Sequence, residues 1–381
     1  MDIDLSIEEI FEYRSLGAKF AQGSLQSYMQ TDLDDDSRID RLPKILAEAR
    51  EIGLLADRDN GYGIWGYDLN RYPYASLWLL SILSEVCAAA SMCFHQNGLA
   101  LNILHTLAPE NNFNVQTLSL SIQEENFLPQ ADILKTKKRR KPAFKTRLSK
   151  QNGRWILNGA KHFVYSPPDN EAYLVFAQDE EKIAAVMVPV SAEGVKRETL
   201  PQRLGLLACT VEHVNFNDVQ IESKALFSGD KAYEALLRAL FIHWLGVSAL
   251  ALGTGKGALK AAKSYAKERY QGGTIIENHA AVQRLITSAE VDLFAAEAQL
   301  NQRWRLDTIR TQDLRRAAMM KLSVTKLCTH AVSNAMQCYG GYGYMEDYGI
   351  EKRFRDVNTL KSMAGTPLYL KRIIFELGRE E

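Results

Sequence analysis

The spacing of apolar residues divides the chain into three regions, which read as helical, extended and helical again. In residues 1–112 apolar positions recur at intervals of three and four, as in IEEIFEYRSLGAKF and RLPKILAEAREIGLLA, a pattern typical of amphipathic helices. The segment ASLWLLSILSEVCAAASMCFHQNGLALNILHTLA is apolar on nearly every face. It predicts a helix in the protein core.

The apolar period changes in residues 113–228. Short β-branched or aromatic segments such as NVQTLSLSIQ, EAYLVFAQ and KIAAVMVPV are separated by Asn-Gly, Pro-Pro and Asp-rich breaks, and they predict a central antiparallel β domain. In residues 229–381 the helical period returns, and the segment from Lys231 to Tyr270 predicts a single helix of about forty residues. The fold class is therefore α+β, with three domains in the order α, β, α.

Composition excludes a general affinity for nucleic acid. The 381 residues include 46 Lys and Arg against 46 Asp and Glu, so the formal net charge is zero, and 46% of residues are hydrophobic. The acidic N-terminus lacks the order of a signal peptide, and FIHWLGVSALALGTG is too short for a membrane span. Five scattered cysteines without a CxxC pair indicate reduced thiols and a cytoplasmic location, and dispersed histidines favour no metal site.

One basic run departs from this neutrality. Residues 135–150 contain nine basic residues and no acidic ones, with their core at Lys137, Lys138, Arg139, Arg140 and Lys141. The run is either a solvated surface loop or an anion site. As an anion site it would bind the phosphates of CoA, an acidic carrier protein or a partner subunit.

Four ordered segments together resemble the acyl-CoA dehydrogenase family of flavoproteins. They are RWILNGAKHFVYS (154–166), YAKERYQGG (265–273), QCYGGYGY (337–344) and RFRDVNTLKSMAGTPLYLKRI (353–373). The resemblance implies an N-terminal helical domain, a central β domain and a C-terminal four-helix bundle through which subunits associate. It also implies FAD as cofactor and an acyl-CoA or carrier-protein thioester as substrate. Fold is more firmly implied than activity, since one fold supports many functions.

The resemblance assigns cofactor contacts to particular positions. The glycine turn, in which backbone N–H groups can approach a ligand, would hold the ADP half of an FAD bound mainly to a neighbouring subunit, and Arg269 would pair with its pyrophosphate. Thr366 would reach a flavin phosphate. Phe163 and Tyr165 occupy the places of a Trp and a Thr beside the flavin ring. The residues assigned to the turn are Gln337, Gly340, Gly341 and Gly343.

The chain departs from the family at the catalytic base. Family dehydrogenases use a glutamate to remove the proton next to the thioester carbonyl. One branch places it where this chain has Ala364, and another places it 26 residues before the position of Arg269, where this chain has His243. Histidine is a base with an ordinary pKa of about 6.5. His243 is thus either the base or a buried histidine that bonds a neighbouring group.

Three functions stay open from the sequence. The first is an FAD-dependent acyl thioester dehydrogenase with His243, or a residue of a partner, as its base. The second is a silent subunit of a heteromeric dehydrogenase that lends Arg269 and the glycine turn to an active partner. The third is a flavin monooxygenase in which His95, predicted to line the substrate cavity, acts with His243. Arg139 and Arg140 are the predicted contacts to the CoA phosphates.

Overall fold

A computed structural model describes residues 7–30, 35–57, 61–110, 113–125, 134 and 144–379. The N-terminal region is helical, and α1 continues into α2 through one π-helical turn, Ala21–Leu25. Its helices are α1 (Ile7–Phe20), α2 (Gln26–Gln30), α3 (Asp35–Glu51), α4 (Pro73–Ser84) and α5 (Ala88–Leu107). Helix α5 contains no Asp, Glu, Lys or Arg, and it is buried along nearly its whole length, as its apolar composition predicts.

The described residues of the central region form one eight-stranded sheet. Its strands are β1 (Leu118–Ser121), β2 (Arg147–Gln151), β3 (Arg154–Ser166), β4 (Ala172–Asp179), β5 (Lys182–Pro189), β6 (Val195–Thr199), β7 (Thr210–Ile221) and β8 (Leu226–Ser228). The order across the sheet is β6-β7-β3-β2-β4-β5-β8, with β1 paired to β4.

The sheet is mixed, so the prediction of an antiparallel domain was wrong for two strand pairs. β1 pairs with the first half of β4 in parallel, and β2 pairs with its last two residues, also in parallel. The remaining pairs are antiparallel. Parallel neighbours need a long connection rather than a tight turn. The chain from β1 to β4, which passes through β2 and β3, provides it.

The C-terminal region begins with one helix of 39 residues, α6 (Asp230–Glu268), which confirms the predicted long helix. A hairpin of β9 (Tyr270–Gln271) and β10 (Thr274–Ile275) follows. The other helices are α7 (Ala280–Leu300), α8 (Thr311–Gln337), α9 (Ile350–Ser362) and α10 (Pro367–Leu377). Helices α6 to α9 pack on one another as a four-helix bundle, and α10 packs on α8.

Helix α6 continues through its glycines without a break. Two of these glycines let neighbouring groups approach the helix backbone. A Cβ atom on Gly253 would lie 2.0 Å from the Ser81 carbonyl oxygen, and one on Gly246 would lie 2.2 Å from the His95 ring. By length and composition α6 could cross a membrane, with a mean hydropathy of 1.8 over its most apolar window. Of that window, 89% is buried inside the protein, so α6 is the core helix around which the other helices pack.

Candidate active site

A cavity of about 640 Å³ lies where the three regions of the fold meet. Its wall combines residues of α5, of β1, β3 and β7, of α6 and of the segment that joins α9 to α10. The volume falls in the range of about 300–1,000 Å³ that is usual for small-molecule sites. No aspartate or glutamate is among the described residues that line it. Within the described chain, the wall therefore offers no carboxylate base.

Strand β3 contributes four consecutive lining residues, His162, Phe163, Val164 and Tyr165. A regular strand points alternate side chains to opposite faces, so four in a row require an irregularity in the ladder. The register of β3 with β7 shifts between Lys161 and Val164, and Phe163 has a φ of +53°. The two residues predicted to lie beside a flavin ring, Phe163 and Tyr165, thus line the same cavity.

Aromatic rings form the rim on this side. The His162 and His213 rings meet edge to face with centroids 4.3 Å apart, and the Phe163 ring lies 5.2 Å from that of His213. Phe163 is 49% exposed, an unusual state for a large apolar ring. Burial raises the pKa of Tyr165 and lowers that of His162, so both are neutral near pH 7. The rim offers flat aromatic surfaces to a planar ligand.

The segment between α9 and α10 brings Ala364 into the wall, and two hydrogen bonds fix its backbone. Trp244 Nε1 donates to the Ala364 carbonyl oxygen at 2.8 Å, and Lys321 Nζ donates to the Gly365 carbonyl oxygen at 2.7 Å. Ala364 has a φ of +54°, a left-handed conformation that is costly for a residue with a side chain. Its methyl group cannot accept a proton, and this is the position to which the resemblance assigns the base in one branch of the family.

Thr366 also lines the cavity, and its hydroxyl begins α10. The Oγ1 atom accepts a hydrogen bond from the backbone N–H of Tyr369 at 3.3 Å, with Pro367 in the first turn. This is the usual arrangement of an N-cap, and it leaves the hydroxyl proton available to a second partner. The position is therefore compatible with the predicted contact to an anionic phosphate.

His95 and His243 lie in direct contact. His95 Nε2 is 2.8 Å from His243 Nδ1, and Trp65 Nε1 donates to His95 Nδ1 at 2.8 Å. Burial lowers the pKa of His95, with a smaller contribution from His243, and burial together with the Lys321 charge lowers that of His243 to about 3. Both rings are neutral near pH 7.

The two histidines have different access to the cavity. His243 lines it, whereas His95 is fully buried behind His243 and is not among the lining residues. The prediction of a direct substrate contact by His95 is therefore wrong in this arrangement. The cause is the packing of its ring between Trp65 and α6, which sequence spacing does not reveal.

Three buried polar atoms in the cavity wall have no hydrogen-bond partner within the described chain. They are Gln96 Oε1, Ser121 Oγ and Arg203 Nε. Buried polar atoms in native proteins are almost always paired. These three are closed off from the cavity itself, so they belong to the packing of the wall and are not contacts to a ligand. The rings of Phe163 and Tyr165 and the Thr366 hydroxyl, which do line the cavity, fit a flavin ring and its phosphate.

The predicted ADP contacts lie outside the cavity lining, on a separate surface where α6 and α8 end. The Arg269 guanidinium lies over the Tyr342 ring at 5.0 Å, and its Nε is buried without a partner in the described chain. The glycine turn is a 3₁₀ helix, Gly340–Tyr344, in which Gly340 and Gly341 are exposed and Gly343 is buried. The remaining residue of the predicted set, Gln337, is exposed.

Two predicted contacts fall outside the described residues. These are Arg139 and Arg140, at the core of the basic run.

Sequence reasoning missed Lys321 and Trp65. Lys321 lies in the middle of an apolar helical stripe on α8, with Leu314, Ala317 and Val324 at spacings of three and four, and a lone lysine on such a stripe was a usable signal. Trp65 lies outside the periodic apolar segments, and nothing in the composition indicates its left-handed backbone conformation. Its role became visible only through its contact with His95.

Family models identify the two larger regions of the chain. The model of the acyl-CoA dehydrogenase middle domain matches residues 140–219, and that of the C-terminal domain matches residues 235–377. Together they match more than half of the chain.

Two curated relatives and one solved structure illustrate the similarity. The caffeyl-CoA reductase–Etf complex subunit CarC of Acetobacterium woodii is 27% identical over 226 residues, which is 58% of this chain and 60% of that protein. The 3-(aryl)acrylate reductase of Clostridium sporogenes is 30% identical over 219 residues, 56% of this chain and 58% of that protein. The matched region thus spans about 60% of the length of these relatives.

Among solved structures, butyryl-CoA dehydrogenase from Megasphaera elsdenii superposes with a TM-score of 0.78 at 18% identity, covering 98% of this chain and 99% of that one. At this identity the superposition shows the fold. With the two family models, it leads to one conclusion: the chain belongs to the acyl-CoA dehydrogenase family.

Proposed function

We propose that the cavity binds FAD together with an acyl thioester, and that the chain is a flavoprotein acting on the α,β-bond of that thioester. One observation carries the proposal. The positions assigned by resemblance to the flavin ring, to a flavin phosphate and to the base all line one cavity. They are Phe163, Tyr165, Thr366, Ala364 and His243. When bound, FAD supplies a hydride acceptor or donor.

The surrounding residues have separable tasks in this proposal. Phe163 and Tyr165 cover the flavin ring and exclude water. The thioester lies between this wall and the wall of Ala364 and His243. Because the two relatives are named as a reductase and as a subunit of a reductase complex, the proposal covers the reaction in both directions.

Without a carboxylate in the lining, removal of the α-proton is expected to be slow. Ala364 cannot accept a proton, and the pKa of about 3 at His243 makes that imidazole a weak base. We therefore infer binding of the thioester with low dehydrogenase activity from the chain alone.

The substitution Ala364→Glu tests this function. Because Ala364 already has a Cβ atom in a left-handed conformation, the longer side chain adds little new backbone strain. Oxidation of butyryl-CoA with an artificial electron acceptor should increase by about 100-fold or more, the usual contribution of a general base. Ala364→Gln is the matched control, since its amide has a similar size and accepts no proton. Flavin-loaded protein that binds butyryl-CoA and shows equal rates in both variants contradicts the proposal.

A second candidate function is supported by the surface outside the cavity. The Arg269 guanidinium lies over the Tyr342 ring of the exposed glycine turn, where its charge can act on an anionic ligand held on another chain. In this case the chain lends these contacts to an active partner, as a homo- or hetero-oligomer formed through the C-terminal bundle. Arg269→Gln should then lower the flavin content of a co-purified complex with a related chain, while the exposed Arg154→Gln should not. Equal flavin content in both complexes contradicts this role.

The monooxygenase alternative receives less support, since His95 does not face the cavity. A cytoplasmic location belongs to the same proposal, and all five cysteines are free and buried.

A further inference from the structure

The three side chains Trp65, His95 and His243 form a hydrogen-bond relay whose direction is fixed at one end. An indole N–H donates and never accepts, so His95 Nδ1 must be the unprotonated nitrogen of its ring. A neutral imidazole has one proton, which therefore lies on His95 Nε2 and is donated to His243 Nδ1. His243 is then left with its own proton on Nε2.

This relay is held by unusual local structure. Trp65 has a φ of +63°, a left-handed conformation that is costly for a residue with a large side chain. Two side chains hold its backbone, since the Trp65 N–H donates to Ser76 Oγ at 2.9 Å and its carbonyl accepts from Asn102 Nδ2 at 2.7 Å. Such strain persists only where the surroundings determine it, and here it places the indole against His95.

Two glycines make room for the same relay. A Cβ atom on Gly98 would lie 1.9 Å from the Ile64 carbonyl oxygen, so Gly98 lets the segment before Trp65 lie on α5. A Cβ atom on Gly246 would lie 2.2 Å from His95 Cε1, so Gly246 lets the imidazole pack on α6. Either methyl group would displace one member of the relay.

We propose that His243 Nε2–H is a fixed hydrogen-bond donor for the carbonyl oxygen of the bound thioester, and that Trp65 and His95 are positioning residues that hold His243 in this tautomer. The identity of the ligand rests on the proposed function, whereas the tautomer rests on the relay alone. A free histidine can accept or donate at the cavity. The relay removes that choice and favours ligands that present an acceptor.

The same relay excludes His243 as the base. A lone pair on His243 Nε2 requires a proton on His243 Nδ1, which would then point at His95 Nε2. His95 would have to accept there and carry its own proton on Nδ1, facing the indole N–H. Two donors would then face each other in a buried site, which is costly. A donor aimed at the carbonyl oxygen instead stabilises negative charge that develops on it.

The tautomer is measured first, in the full-length protein, by two-bond ¹H–¹⁵N correlation spectra of ¹⁵N-histidine-labelled samples. The His243 signals are assigned by their loss in His243→Gln. We expect an unprotonated Nδ1 and a protonated Nε2 at His243 in the wild type. In Trp65→Phe, His95 is free to reverse, and His243 should populate both tautomers. Trp78→Phe is the matched control, because that indole bonds Asn301 outside the cavity, and it should leave the spectrum unchanged.

Ligand preference is measured next, by calorimetry with butyryl-CoA and its thioether analogue S-butyl-CoA, which lacks the carbonyl oxygen. The wild type should prefer the thioester by about five- to tenfold, the usual contribution of one neutral hydrogen bond. Trp65→Phe should lose most of this preference, and Trp78→Phe should keep it.

The outcomes separate the relay from the ligand. A protonated His243 Nδ1 in the wild type overturns the relay, whatever binds. The expected tautomer with equal affinity for the two compounds overturns the assignment of the carbonyl as acceptor. If neither compound binds, the proposed function and this assignment fail together, and the spectrum alone decides whether the donor stands. If Trp65→Phe does not fold, His95→Gln, which cannot fix the His243 tautomer in the same way, takes its place.

Discussion

Replacement of Lys321 by methionine should change the pH dependence of folding stability. Lys321 is fully buried on α8, and its Nζ donates to the carbonyl oxygens of Lys361 at 2.9 Å and Gly365 at 2.7 Å. No carboxylate is paired with it among the described ion pairs, and burial lowers its pKa from 10.5 to about 7. Methionine has a similar length and no charge, so Lys321→Met removes the titration with little change in volume.

The magnitude follows from the pKa. Each pH unit between the folded and unfolded pKa corresponds to about 1.4 kcal/mol, so lowering the pKa from 10.5 to about 7 costs the folded state about 5 kcal/mol when the amine is charged. Between these pH values the unfolded chain binds more protons, so the free energy of unfolding of the wild type rises with pH. Below pH 7 the full cost is present, and above pH 10.5 it is gone. In the methionine variant this contribution is absent at every pH.

The assay is urea unfolding of both proteins between pH 6.5 and 9.5. Over this interval the free energy of unfolding of the variant, relative to that of the wild type, should fall by about 3 kcal/mol. At the upper end the variant should be the less stable protein, because two carbonyl oxygens have lost their donor. Lys326→Met is the matched control, since Lys326 is exposed on the same helix, and its difference from the wild type should stay constant. A difference for Lys321→Met that does not vary with pH refutes the reasoning.

Two further predictions concern buried groups near the site. Lys161→Met leaves the Glu124 carboxylate buried without its 2.8 Å partner, and urea unfolding should show a loss of about 3 kcal/mol; a loss below about 1 kcal/mol would show that backbone donors satisfy Glu124 alone. Gly246→Ala should lower stability by about 1–3 kcal/mol because its methyl group meets the His95 ring. Gly23→Ala, where nothing lies within 4 Å of the new atom, should be slightly stabilising because alanine favours a helical turn. Equal effects of the two substitutions in thermal unfolding would argue against the contact.

The fold was largely predictable because periodicity reports which faces are buried. The long helix α6 was recognised from its apolar spacing in spite of its glycines, and the change of period located the sheet. The parallel pairing of β1 and β2 with β4 was not predictable, because strand direction depends on connections between distant segments rather than on local pattern.

Single positions of the candidate site could be predicted from the sequence, but the contacts between them could not. Resemblance led to Phe163, Tyr165 and Ala364, and the structure brings them to one cavity. It paired His95 with His243 but did not indicate that His95 lies behind His243, because their contact joins residues 148 positions apart. Nor did it point to Trp65, whose indole sets the direction of the relay. The tautomer of a histidine depends on which of its hydrogen-bond partners donate and which accept. These partners lie in distant segments, so no pattern within one segment reveals the tautomer.

The most direct test of the central claim, that one cavity holds flavin and thioester, is an absorbance titration of the purified chain between about 300 and 550 nm. We predict a flavin band near ~450 nm at one flavin per chain, which shifts when butyryl-CoA is added. A colourless protein that takes up no added FAD, or one that becomes yellow only when purified with a related chain, contradicts the claim. The second of these results would assign the chain to the supporting role carried by Arg269.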